Sequence, residues 1–258
     1  MSSELTELQK PVVAVQRSVK ILRYLARSQR PAGIREIARA IDVIPSTCMY
    51  ILRTLESDGM VTLDAKSNNY SLGGALLYLA QGMVSNNEFI KAAQPMLDQI
   101  AEENNVTAVA AWLESSDRMT VVAKSNVSSN FTVNITLGSR FPAFMSATGI
   151  CCAAESKLSD EQFQKKFEKL VWKNPPDFRT WLGDIAFTRE NGYSVDHGRV
   201  INGVTQIAVP VFDGEATATR FLAILDFSQD LANERRQKLI SLLKNAAQDL
   251  SGEYSGVA

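Results

Sequence analysis

The sequence predicts an α+β chain in two parts, and three observations lead there. Apolar residues recur at helical spacing twice in quick succession over residues 34–55, and two short alternating runs follow. Beyond residue 88, helical and strand-like runs come in mixed order, the pattern of an α+β domain on a mainly antiparallel sheet. Between them, residues 74–86 (GALLYLAQGMVSN) are helix-like and lack the Pro or polar run of a flexible linker. At 258 residues and 45% hydrophobic, the chain can build two cores. The expected divisions are 12–73, a linker helix 74–87, and 88–258.

Val15, Val19, Leu22, Leu25 and Ala26 mark the first helix, and Pro31-Ala32-Gly33 closes it. Ile34, Ile37, Ala38 and Ile41 then fall at i, i+3, i+4 and i+7. After the break Asp42-Val43-Ile44-Pro45, the spacing returns as Cys48, Ile51, Leu52 and Leu55. Gly59 ends that helix, and Met60-Val61-Thr62-Leu63 alternates as a strand does. A polar turn over residues 64–69 leads to a second short strand, Tyr70-Ser71-Leu72. Two short helices, a tight turn and a hairpin make a winged helix-turn-helix.

Such a module reads duplex DNA when its second helix carries short polar or planar groups near its N-terminus. Here that face holds Ser46, Thr47, Met49, Tyr50 and Arg53. Ser46 and Thr47 suit phosphate or base contact at the positive end of the helix dipole. Met49 can meet a thymine methyl, Tyr50 a phosphate or base edge, and Arg53 a phosphate or guanine. Lys66, Ser67 and Asn68 form the hairpin tip, where backbone or minor groove is met. Arg17 and Arg35, near the starts of the flanking helices, would clamp the DNA backbone. Residues 12–72 hold nine Lys and Arg against five Asp and Glu, whereas residues 88–258 hold 17 against 21. Positive charge therefore gathers where phosphate contact needs it. The alternative use of a winged helix, for protein contacts alone, is disfavoured because the outward helix face has no large apolar patch.

The second part opens with a helix near 88–104, then strands over residues 107–113 and 119–123, joined by a polar turn. A further strand is expected over residues 131–135. A small-residue helix at 146–155 follows, then a charged helical stretch at 159–171 and a helix near 178–191 ending at Gly192. Strands over 204–212 and 220–227 and an amphipathic helix over 231–254 complete the chain.

Composition excludes several functions. Three cysteines, two of them adjacent, make no disulfide framework and fit a reducing cytosol. No stretch of 18 apolar residues and no secretory signal occurs, so a cytoplasmic protein is expected. One histidine and scattered cysteines build no zinc site, and no Gly-rich phosphate motif is present, so neither metal nor cofactor is expected. His197, beside Asp196, has no nucleophile elbow to serve and reads as an exposed turn histidine. Asp196 is either an effector anchor or a solvated turn carboxylate. Trp112 fills the core or stacks on a ligand, and Lys165 to Lys169 reads as a solvated helix face.

The strings VQRSVKILRYLA, IREIARAIDVIPST, LRTLESDGMV and YSLG resemble the IclR family of bacterial transcriptional regulators. LGSRFPAFMSATGICCAA and ENGYSVDHGRVINGVTQIAVPVFD resemble that family's effector-domain segments, so the likeness runs from about residue 12 to 250. The resemblance implies a C-terminal domain similar to GAF and PAS folds that binds a small metabolite. It also implies a homodimer, often paired into a tetramer, reading a palindromic operator. The implied effector-binding positions are Phe141, Ala147, Thr148, Asp196, Val204 and Gln206, with Leu225 and Phe227 on the last strand.

This chain departs from the family at several of these positions. Met49 and Tyr50 stand where the family often has His and a basic residue, which would shift operator preference. The family's PLHxTAxGKA becomes PAFMSATGIC over residues 142–151, so Phe144 and Ile150 replace its His and Lys. Gln206 stands where Cys is common, and Leu225 and Phe227 replace two serines. Losing hydroxyl donors disfavours small carboxylates and favours a larger, more apolar effector such as an aromatic compound. A metabolite-responsive transcription factor is expected. An enzyme with an accessory DNA-binding domain and a protein-interaction module are the rival readings.

Overall fold

The computed structural model describes residues 11–115, 117–126, 133, 135–172, 174–212, 218–227 and 233–255. The strand expected over 131–135 lies outside them but for residues 133 and 135. The chain divides into two compact units at Asn86/Asn87.

The first unit holds α1 (Val13–Ser28), β1 (Ala32–Gly33), α2 (Ile34–Ala40), α3 (Pro45–Ser57), β2 (Val61–Asp64), β3 (Asn69–Leu72) and α4 (Ala75–Ser85). Its core is Ile21, Leu25, Ala32, Ile37, Ala38, Ile41, Cys48, Leu52, Val61 and Tyr70. The stripes of α2 and α3 thus turn inward as their spacing requires. On α1 the inward face is Ile21 and Leu25, with Leu22 and Tyr24 packed against them, while Val15 and Val19 face solvent. That helix has two apolar stripes, and periodicity alone does not say which one faces the core.

Tyr24 on α1 donates to Glu36 Oε1 on α2 at 2.7 Å, and Arg30 grips the same carboxylate at 2.6 Å. β1 was not foreseen; two residues have no period to detect, yet it pairs with β3 and completes a three-stranded sheet, β1-β3-β2. Gly73 allows the closest backbone approach in this unit. A Cβ there would stand 2.1 Å from the carbonyl oxygen of Gly59, and its amide donates to Met60 O at 2.8 Å.

The second unit is a six-stranded, wholly antiparallel sheet, ordered β6-β5-β4-β9-β8-β7. Its strands are β4 (Thr107–Ser115), β5 (Arg118–Lys124), β6 (Arg140–Pro142), β7 (Ser194–His197), β8 (Thr205–Val211) and β9 (Arg220–Asp226). One face is covered by α5 (Glu88–Asn104) and α9 (Asn233–Ser255), the other by α6 (Ser146–Glu155), α7 (Asp160–Phe167) and α8 (Phe178–Asn191). Side chains alternate between the faces. Ala108, Ala110 and Trp112 of β4 join the α5/α9 core, and Val109, Ala111 and Leu113 join the other. Trp112 therefore packs in a core. A bulge at Ala110/Ala111 shifts the β4–β5 register, so that consecutive residues Val122 and Ala123 both pack on the α5/α9 side.

Local signals explain the helix ends. Asn87 and Asp177 cap α5 and α8 by accepting from Ile90 and Thr180 amides, and Ser159 with Gln162 forms a capping box on α7. Gly192, at φ 70°, closes α8. Every residue of α6 except Glu155 is buried. Around it Trp181, fully buried, donates its indole N–H to Phe144 O at 3.2 Å and meets Phe163, Phe167 and Phe178 ring to ring. The Lys165–Lys169 run is only partly a solvated face, because Lys166 pairs with Asp117 and lies 4.9 Å over the Phe144 ring.

Candidate nucleic-acid interface and ligand cavity

In the first unit, Ser46, Tyr50 and Arg53 of α3 are exposed, and Thr47 and Met49 are half-buried at the edge of the same face. Pro45 opens the helix and no side chain caps it. The amides of Ser46 and Thr47 therefore have no intrahelical partner and point outward from a positive helix end. Arg35 is exposed at the start of α2 and Arg17 half-buried on α1.

The wing is shaped by Asp64. Its carboxylate accepts from the Lys66 amide at 2.9 Å and the Ser67 hydroxyl at 2.7 Å, and its carbonyl accepts from the Asn68 amide at 2.8 Å. These bonds, led by the Ser67 hydroxyl, hold the Asp64 carboxyl below its ordinary value. Asn68 takes the left-handed conformation, φ 54°, which closes the turn. The Ser67 hydroxyl is thus engaged within the turn, whereas Lys66 and Asn68 project at its exposed tip.

In the second unit, a cavity of about 270 Å³ lies between the sheet and α6. Its floor is Val109, Ala111, Val121, Ala223 and Leu225 from three neighbouring strands. Met145, Ser146 and Thr148 at the start of α6, Phe141 and Pro142 of β6, and Val200 and Ile201 form its walls. Ala111 and Ala223 leave room over the sheet that larger side chains would fill. No ionisable side chain lines the cavity among the described residues.

Gln206, Thr148 and Ser146 are its buried polar residues, and Thr136 and Ser139 line its more open side. The first three are 6%, 4% and 7% exposed, and among the described residues no protein group hydrogen-bonds their side chains. Their polar atoms are not enclosed: they open onto one shared apolar space, where a ligand can hydrogen-bond them.

Of the eight effector positions expected, Phe141, Thr148, Gln206 and Leu225 line the cavity. Ala147 and Val204 are buried in the core behind it, and Phe227 is 48% exposed. Asp196 is neither solvated nor in the cavity wall. It is 4% exposed on β7, and its two oxygens accept from the Arg199 and Val200 amides at 3.2 and 3.3 Å. Burial raises its carboxyl above the ordinary value, against those amides. Arg199 in turn pairs with Asp184 of α8. The carboxylate thereby shapes the 198–203 loop, bounded by Gly198 at φ 83° and Gly203 at φ 76°, which carries Val200 and Ile201 to the cavity. His197, exposed, ends β7 and is no turn residue.

Sequence reasoning missed Ser146, Ala111, Ala223 and the two loop residues. Small residues at alternate strand positions were the one available signal. Phe144 at φ 73° and Ser146 at φ 62°, which turn the chain into α6, leave no trace in residue type. A second cleft, about 280 Å³, opens beside β7, but Asp184, Arg199, Arg236 and His197 make it ionic, and its pair is already formed.

The IclR helix-turn-helix domain profile matches residues 14–65, and the profile for the bacterial transcriptional regulator IclR C-terminal region matches residues 81–252. The chain belongs to the IclR family. It is a DNA-binding transcriptional regulator with an effector-binding C-terminal domain. The IclR-family chain is 23% identical over 246 residues to the HTH-type transcriptional repressor AllR of Escherichia coli K12, covering 94% of this chain and 90% of that one. It resembles the crystal structure of an IclR regulator from Alicyclobacillus acidocaldarius with a TM-score of 0.84 and 26% identity, over 95% and 99% of the two chains. An IclR homologue from Microbacterium hydrocarbonoxydans, solved in complex with 4-hydroxybenzoate, has the same fold, with a TM-score of 0.77, 18% identity, and 94% and 99% coverage. Among the described residues no helix is long and apolar enough to cross a membrane, and no group of three His, Cys, Asp or Glu residues gathers as metal ligands do.

Proposed function

We propose that this regulator takes a single-ring aromatic effector in the cavity between α6 and the sheet and that the effector changes its hold on a palindromic operator. The observation that carries this reading is the cavity itself: an apolar floor with three buried, unpartnered polar side chains at its margin. A cavity of about 150 Å³ accommodates benzene, so 270 Å³ suits one substituted ring. Phe141, Thr148, Gln206 and Leu225 contact that ring, with Ser146, Ala111 and Ala223 added to them. The structural relative bound to 4-hydroxybenzoate lends support by analogy of fold.

Operator contact falls to Arg17, Arg35, Ser46, Thr47, Met49, Tyr50, Arg53, Lys66 and Asn68, with Ser67 shaping the wing. The protein works in the cytoplasm as a homodimer, with pairing of dimers into a tetramer, and carries out no catalysis. Support for dimerisation comes from apolar surface in the first unit: Val12 just before α1, Val15 and Val19 on it, and Leu77, Tyr78, Leu79 and Met83 on α4, stand exposed in the single chain. The linker segment 74–87, containing α4, joins the DNA-binding part (12–73) to the effector part (88–258) and is the route of coupling. Regulation requires that the effector favour one conformer over another.

Fluorescence anisotropy on the protein's own upstream intergenic DNA, with a scrambled duplex as control, tests the reading. Both are titrated across salt, with and without small aromatic and aliphatic acids and phenols. Preferential binding that one aromatic compound changes is the expected result. Equal binding of both duplexes, unmoved by every compound, would refute it.

A further inference from the structure

The geometry points to Gln206 as a specificity-determining residue that selects an effector bearing a neutral hydroxyl group at the β8 end of the cavity. This rests on the cavity being the effector site. Gln206 lies on β8 directly between Asp196 of β7 and Leu225 of β9. Directly opposed residues of antiparallel strands project to the same face. The carboxamide therefore reaches into the cavity with an apolar floor residue on one flank and a buried carboxylate on the other.

Three facts then restrict what can meet it. The amide is 6% exposed and unpartnered among the described residues, so it offers both a donor N–H and an acceptor oxygen. A group that satisfies both must itself donate and accept, as a hydroxyl does. A carboxylate only accepts and would leave the amide oxygen unmet.

Charge works the same way. Asp196 is paired with Gln206 across β7 and β8, its oxygens held by two loop amides, and among the described residues no cation lines the cavity. An anionic head placed against Gln206 would be desolvated next to a carboxylate with no counter-charge. A phenolic hydroxyl carries no such penalty. Should a ligand also carry an acid group, the start of α6, with Ser146 and Thr148, is the place for it.

The test is isothermal titration of the full-length protein with two matched pairs: 4-hydroxybenzoate against benzoate, and p-cresol against toluene. Losing a hydroxyl that satisfies a buried group costs roughly 10- to 100-fold in affinity. That preference is expected for the hydroxylated member of whichever pair binds, and Gln206→Leu should bring the ratio to near one while still binding the unhydroxylated ring. A wild-type ratio near one, a ratio that survives in Gln206→Leu, or no binding by any of the four probes would overturn the proposal. Ala223→Phe, which fills the floor, separates this from the underlying reading. If the probes bind that variant as tightly as wild type, the cavity is not the site, whatever Gln206 does.

Discussion

Replacing Gly149 with Ala sets two physical effects against each other, and the structure decides which wins. Gly149 lies inside α6, where Gly costs about 1 kcal/mol of helix stability relative to Ala, so propensity alone forecasts a more stable protein. A Cβ at this position, however, would stand 2.8 Å from both the carbonyl carbon and the amide nitrogen of Phe144 and 3.0 Å from its Cα. Ordinary contact begins at 3.4 Å, so α6 or the Phe144 backbone must withdraw by several tenths of an ångström. Neither moves freely. Phe144 is at φ 73°, and its carbonyl accepts the Trp181 indole. Overpacking of a rigid core costs about 1–3 kcal/mol, and a clash with three backbone atoms belongs at the upper end. Less the helix gain, the variant should lose about 2 kcal/mol. Urea unfolding reads this as a lower midpoint at unchanged slope. Gly183→Ala is the control: it is an exposed position inside α8 with nothing within 4 Å of its Cβ, and should gain about 0.5–1 kcal/mol. If Gly149→Ala gained as much as Gly183→Ala, the tight seat of α6 would be refuted.

Three further outcomes follow from the geometry. Lys66→Ala and Arg53→Ala, each removing one exposed cation, should each reduce the slope of log affinity against log salt by about one if the residue meets a phosphate; an unchanged slope in anisotropy titrations would place that residue off the backbone. Burial lifts the Asp196 carboxyl above 3.8, so the folded chain holds this proton more tightly than the unfolded chain. Its contribution to stability is therefore greatest below pH 3.8, declines as pH climbs to the raised value and is constant beyond. The urea stability of wild type minus that of Asp196→Asn should fall across that window, and a difference that grew with pH would contradict the burial argument. Burial also pushes Cys48 up to about 11 and Cys151 and Cys152 up to about 12, so a thiol reagent such as DTNB should label all three only at the rate of opening; rapid labelling of the native protein would show that one of them reaches solvent.

Legibility in the sequence followed the strength of the local signal. α2, α3, α6 and α8 announce themselves through regular spacing, small-residue composition, or a clean Gly192 stop. β1, β6 and β7, two to four residues long, offer too few positions for a period. On α1 both stripes are apolar, and only packing reveals that Ile21 and Leu25, not Val15 and Val19, face the core. Of the positions that resemblance implied, Phe141, Thr148, Gln206 and Leu225 line the cavity, whereas Ala147 and Val204, in the same segments, pack behind it, because the direction of a side chain is decided by packing. Asp196 misled because a carboxylate's target, here two loop amides, is a fact of tertiary structure. Ser146 and the two alanines became visible only when three separate strands and one helix start were brought to a single space.

The alternation of side chains across the central strands separates two kinds of constraint within one stretch of chain. Along β4 and β9, Ala108, Ala110, Leu222 and Ile224 belong to the face sealed by α5 and α9, while Val109, Ala111, Ala223 and Leu225 belong to the face with the cavity. Neighbouring positions thus answer to different demands. A substitution at one of these odd-numbered positions can reshape the cavity while its even-numbered neighbours keep the scaffold packed. The shape of that space is therefore open to single changes in the middle of the sheet, a region ordinarily the least tolerant of change.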